Sequence, residues 1–115
     1  MTMQPLEDAV LLRIHIGEAE RSGSRPLYEA IVLKARELKL AGATVLRGPM
    51  GYGANSQIHS AKILRLSTDL PIVIEIADSP QKINAFLPVL DSMMGSGLVT
   101  LEKVQVLHYG HNKKS

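Results

Sequence analysis

Residues 42–57 read Gly42-Ala-Thr-Val-Leu-Arg-Gly-Pro-Met-Gly-Tyr-Gly-Ala-Asn-Ser-Gln57. The run opens as a strand, Ala43 to Arg47, and dissolves into a glycine-rich loop. Four of the chain's nine glycines (Gly42, Gly48, Gly51 and Gly53) fall within it. The rest of the chain reads as a scaffold that presents this loop.

Upstream, Leu27, Ala30, Ile31, Ala35 and Leu38 recur at helical spacing, with Glu29, Lys34, Arg36, Glu37 and Lys39 between them. That is an amphipathic helix. Pro26 marks its start, it stops near Leu40, and Gly42 is its expected C-terminal glycine. Before it, from Glu7 to Gly17, the pattern has period two. Val10, Leu12, Ile14 and Ile16 take one face and Leu11, Arg13 and His15 the other, which makes a strand. Glu18 to Gly23 is a polar, acidic loop.

Downstream, Ile58, Ile63, Leu64 and Leu66 fit neither period, so short helix and strand both stay open for residues 58–67. Leu70-Pro71 resets the chain, and Ile72 to Ala77 is a third strand interrupted only by Glu75. Asp78 and Ser79 are helix-capping residues, Pro80 suits a first turn, and Gln81 completes a capping-box spacing from Asp78. Ile83, Phe86, Leu87, Leu90 and Met94 form that helix's apolar stripe. Pro88 inside it removes one backbone hydrogen bond and is expected to kink it. Gly95-Ser-Gly97 ends the helix, and Leu98 to Tyr109 is a fourth strand.

The order β-α-β-β-α-β, with right-handed crossovers, predicts an α+β, ferredoxin-like sandwich. A four-stranded antiparallel sheet carries two helices on one face. The other face holds Leu11, Arg13, His15, Val73 and Glu75. A face this apolar predicts burial in a homo-oligomer, with Glu75 pairing Arg13 or His15.

Composition narrows the classes. The 115 residues make one domain, residues 1–115, with 1–6 and 110–115 flexible. The core is aliphatic: one Phe, three Tyr and no Trp. No cysteine is present, which excludes a disulfide scaffold, thiolate metal sites and cysteine catalysis. With neither a signal-peptide pattern nor a long apolar run, the expected location is the cytoplasm, without membrane insertion. Net charge is +2 with both signs interspersed, and the tail His111-Asn-Lys-Lys-Ser115 is the only basic cluster. Nucleic acid is not an expected partner.

The glycine loop has two readings. Its glycines serve positive φ, or its exposed N–H groups form an anion-binding concavity, with Arg47, Lys62 or Arg65 adding charge. The histidines, His15, His59, His108 and His111, share no ligand spacing with a carboxylate. No serine elbow or paired carboxylates suggest an enzyme. Small ferredoxin-like hydrolases of acyl phosphates cradle phosphate after the first strand, where Gly17-Glu-Ala-Glu20 would repel it. RNA-binding domains of this fold need aromatics on the central strands, where this chain has Arg13, His15 and Glu75.

Five segments resemble the bacterial and archaeal DUF190 family: Leu12-Arg-Ile-His-Ile-Gly17, Pro26-Leu-Tyr-Glu-Ala-Ile31, Ala41-Gly-Ala-Thr-Val-Leu-Arg-Gly48, Leu70-Pro-Ile-Val-Ile-Glu-Ile76 and Gly97-Leu-Val-Thr-Leu-Glu-Lys103. That family is placed among PII-like proteins, trimeric ferredoxin-like sensors. Gly42-Ala-Thr-Val45 resembles the Gly-Met-Thr-Val opening the second strand of nitrogen-regulatory PII proteins. Gly51-Tyr-Gly53 resembles the Gly-Phe-Gly at the base of their T-loop. Leu70-Pro71 and Ile74-Glu-Ile76 are similar to the segments entering their third strand. Gly95-Ser-Gly97 is similar to the Gly-Asp-Gly of their nucleotide-contacting B-loop. Leu98 stands where they carry a lysine, and their C-terminal arginines have no counterpart.

The resemblance implies a homotrimeric, non-enzymatic signalling module. A small anionic effector, an adenine nucleotide first among candidates, would bind in a cleft between subunits. The implied site is Thr44, Arg47, Gly51, Tyr52, Gly53, Gln57, Gly95 and Gly97, with Lys103, His108 or a tail lysine replacing the missing phosphate anchors. The 48–67 loop would carry the signal to a target protein, a membrane protein among the candidates. Two alternatives remain: a metal-responsive trimer like the divalent-cation tolerance proteins, using His59 and His108, and a ligand-free assembly unit.

Overall fold

In the computed structural model, residues 7–52 and 69–107 are described. Alternation in β1 (Glu7–Gly17) buries Leu12, Ile14 and Ile16. The same period in β5 (Pro71–Asp78) buries Ile72, Ile74 and Ile76. The strands run antiparallel in a register that opposes Leu12 to Ile76, Ile14 to Ile74 and Ile16 to Ile72. β4 (Thr44–Arg47) extends the sheet beyond β5 and β6 (Leu98–Val106) beyond β1. The order β4-β5-β1-β6 is the expected ferredoxin-like arrangement. α1 (Leu27–Glu37) supplies Leu27, Ile31 and Ala35 to the core, and α2 (Pro80–Met93) supplies Ile83, Phe86 and Leu90.

The helix ends depart from expectation. α1 ends at Glu37, and the left-handed residue beyond it is Lys39, with φ 66°, rather than Gly42. The Leu40 N–H donates to the Ala35 carbonyl and the Lys39 N–H to the Arg36 carbonyl, both at 3.0 Å. These are the two bonds of a Schellman motif, so the helix is closed before Gly42 is reached. At α2 the cap is Ser79, whose Oγ accepts the Lys82 N–H at 3.2 Å. A capping box would need Glu or Gln at position 82, so Gln81 is one residue too early. Asp78 instead accepts the Ser79 N–H at 2.7 Å and the Ala41 N–H at 2.8 Å, tying the α1–β4 connection to the head of α2. α2 runs through Pro88 as a single helix.

The acidic loop after β1 is also more ordered than expected. β2 (Arg21–Ser22) and β3 (Arg25–Pro26) form a short ribbon turning at Gly23, φ 64°. β6 is described to Val106; Tyr109, the expected strand end, lies outside the described residues. So do residues 53–68, which include the undecided stretch 58–67, and both termini.

The helix-free sheet face carries the expected ion pair and more apolar surface than the sequence pattern indicated. Arg13 and Glu75 are directly opposed, and Nε donates to Oε2 at 2.8 Å. Arg13 Nη1 donates to Glu102 Oε1 at 3.1 Å. The Glu75 bond, then the Glu102 bond, push the guanidinium's pKa above its ordinary value. The guanidinium's charge is therefore constant through physiological pH, and on the alkaline side its contribution is lost only as the pH rises through that raised value. One row along, Leu46, Val73, His15 and Leu98 line up across all four strands. Leu46 is 49% exposed and Leu98 56%.

Lys39 holds a left-handed conformation that costs a side-chain-bearing residue about 1 kcal/mol or more. Lys39→Gly is expected to stabilise the protein by about 0.5–1 kcal/mol, read as a higher urea midpoint at unchanged m-value. A lower midpoint would mean that the Lys39 side chain contributes more than its backbone costs.

Candidate functional site

β1 and β4 finish, and β5 and β6 begin, at one end of the sheet. Short hydrogen bonds knit the loops there. The Gly48 N–H donates to the Pro71 carbonyl at 2.8 Å and the Glu18 N–H to the Leu70 carbonyl at 2.8 Å. The Ala19 N–H donates to Asp69 Oδ1 and the Gly17 N–H to Glu20 Oε2, both at 2.9 Å. Arg47 Nη2 lies 2.6 Å from Glu18 Oε2. The turn after β1 thus grips both Arg47, before the glycine loop, and Asp69-Leu70, where the chain returns.

Gly48 and Gly51 serve a steric rather than a conformational need. A Cβ at Gly48 would lie 2.9 Å from Pro71 Cγ, and one at Gly51 would lie 3.0 Å from it. Neither glycine has positive φ. The loop folds over the Pro71 ring because it has no side chains at these two positions. A Cβ on Gly17 would collide with the Asp69 carboxylate. Gly97 is constrained twice: its φ is 129°, and a Cβ would come 2.6 Å from the His15 carbonyl oxygen.

This packing frames a half-open cavity of about 630 Å³ lined by the three loops, including Glu20, Gly51, Tyr52, Asp69 and Gly97, with His15 on its sheet side. That volume lies within the usual range of small-molecule sites. Of the residues expected from the sequence, Gly51, Tyr52 and Gly97 meet here within one chain. Arg47 stands at the same end, held by Glu18. Gly95 lines a neighbouring cavity of about 430 Å³ against Leu87, Asp91 and Val99. Thr44 sits opposite Glu75 on the open face, and Lys103 opposite Val10 on β6; neither lines the two cavities. Gly53, Gln57, His59 and His108 lie outside the described residues. Among the described residues, no group of three or more His, Cys, Asp or Glu could hold a metal, and no helix is long and apolar enough to cross a membrane.

Sequence reasoning missed Glu20, Asp69 and Pro71. Glu20 and Asp69 are 49 residues apart, and no local pattern joins them. The usable signals were the acidic Gly17-Glu-Ala-Glu20 run and the rigid Leu70-Pro71 step facing a glycine pair.

Comparison with known proteins agrees with the fold. The profile of DUF190, described as "Uncharacterized ACR", matches residues 9–106. A UPF0166 protein of Aquifex aeolicus is 40% identical over 98 residues, covering 85% of this chain and 92% of its own. The UPF0166 protein of Methanocaldococcus jannaschii is 31% identical over 99 residues, covering 85% and 91%. Among solved structures, CPII of Thiomonas intermedia K12, bound to ADP and bicarbonate, superposes with a TM-score of 0.57 at 19% identity. That match covers 89% of this chain and 91% of CPII.

Gly97→Ala meets both a positive φ and the His15 carbonyl, whereas a Cβ at Gly95 has nothing within 4 Å. Gly97→Ala is expected to cost about 2 kcal/mol or more. Gly95→Ala should stay within about 0.5 kcal/mol. Thermal denaturation of the two variants side by side checks the contrast.

Proposed function

The chain belongs to the DUF190 family, of PII-like fold, and on that premise we propose that it is a non-enzymatic PII-like regulatory protein. It works as a cytoplasmic homotrimer and binds a small metabolite, an adenine nucleotide being the leading candidate. The observation that carries this reading is the convergence of Gly51-Tyr52, Gly17–Glu20 and Ser96-Gly97 around one cavity. Tyr52, 73% exposed, offers a ring face on which a purine can stack. Tyr52 and Asp69, the described residues on either side of positions 53–68, both line the cavity. A ligand that bridges these two positions and Gly97 therefore acts on both ends of the intervening loop, which contacts the target protein. Signalling requires only that the ligand prefer one loop state. CPII binding of ADP supports a nucleotide as effector. The Leu46-Val73-His15-Leu98 row supports trimer assembly through the open face.

Thermal shift with adenine nucleosides and nucleotides tests the effector. A ligand at 100 times its Kd is expected to add about 2.7 kcal/mol of stability. No response from any of them overturns the nucleotide reading. Sedimentation equilibrium is expected to return three times the 12.5 kDa chain mass, and a monomer would overturn the assembly.

A further inference from the structure

Building on the assembly reading, we propose that His15 is a pH switch of the contact between copies: protonation of its imidazole on the open sheet face loosens the assembly. The placement comes from the sheet register. His15 is opposed to Val73 on β5 and to Leu98 on β6, and Val73 is opposed to Leu46 on β4. Its strand neighbours Ile14 and Ile16 are buried under the helices, so alternation puts His15 on the helix-free face. His15 is thus the one titratable member of a four-residue row that is otherwise apolar. The outer two of the four, Leu46 and Leu98, are 49% and 56% exposed.

A second copy laid on this row removes water from the ring. Burial penalises the charged form of a histidine, the side chain whose charge changes between about pH 5 and 8. The charged groups facing His15 leave that sign unchanged. Along β1, Arg13 shares the face and is bonded to Glu75 of β5 at 2.8 Å and to Glu102 of β6 at 3.1 Å. At the sheet end, His15 lines the cavity together with Glu20 and Asp69. Those two carboxylates belong to the same chain, so they favour the imidazolium both before and after association. All 11 acidic residues lie within 7–52 and 69–107, so residues 1–6, 53–68 and 108–115 bring no acidic side chain to the ring. A second copy brings the same face, on which Glu75 and Glu102 already hold Arg13. Assembly is therefore strongest where the ring is neutral. It weakens as pH falls, because the free chain takes up a proton that the covered ring disfavours.

Sedimentation of the full chain over a concentration series, from about pH 7.5 down to about pH 5.5, tests the switch. The concentration at which half the chains are assembled is expected to rise by about tenfold or more across that range. His15→Gln keeps a polar side chain that takes no proton, and it retains His59, His108 and His111. Its half-assembly concentration should stay level with pH. Should that variant fold poorly, NMR of the wild-type ring protons decides. The His15 resonance is expected to titrate at lower pH in concentrated, assembled protein than in dilute, dissociated protein. Equal titration in the two states, or a pH dependence that survives in His15→Gln, overturns this inference and leaves the assembly reading standing. So does a wild type whose assembly is indifferent to pH or tightens as it falls. A monomer at every pH overturns both.

Discussion

A slip of one residue between β1 and β5 would carry Ile72, Ile74 and Ile76 out of the core and turn Val73 and Glu75 into it. Because side chains alternate with period two, no intermediate register exists. The observed pairing seats three apolar pairs beneath the helices and, on the far side, sets Arg13 directly against Glu75. Burial and ion pairing therefore favour the same register. Once it is set, the strand ends fall where the three loops must meet.

That agreement has a cost on the helix-free face. A charged group among Leu11, Leu46, Val73 and Leu98 gains little from an exposed ion pair and would pay for desolvation if covered. Arg13 meets the difficulty with two carboxylate partners, Glu75 on one neighbouring strand and Glu102 on the other. The triad is thus satisfied within one chain before any second copy arrives. Its role is better read as fixing strand register than as adding stability.

Periodic features were legible in the sequence: β1 and β5 by alternation, α1 and α2 by their buried stripes, and through them the sheet order. The helix ends were harder. Lys39 takes a left-handed conformation that its side chain disfavours, because the Ala35 and Arg36 carbonyls need partners before Gly42 is reached. Gln81 looked like half of a capping box because either Asp78 or Ser79 could have been the cap. Of the cavity-lining residues, Gly51, Tyr52 and Gly97 were expected as site residues through their resemblance to a known pattern. Glu20 and Asp69 were not, since their meeting depends on how two distant loops cross. The glycine loop itself reads differently in three dimensions, as Gly48 and Gly51 are small to admit Pro71 rather than to reach unusual φ.

The seating of Pro71 between Gly48 and Gly51 has a bearing on how such a sequence can drift. The three positions form one steric unit, so substitutions among them have an order. A lineage that first exchanged Pro71 for a smaller residue would relieve both glycines and let them acquire side chains later. The opposite order sets a new Cβ about 3 Å from the Pro71 ring, which the ring or the loop must shift to accommodate. Side chains at 48 and 51 are therefore accommodated more easily after loss of the proline than before it.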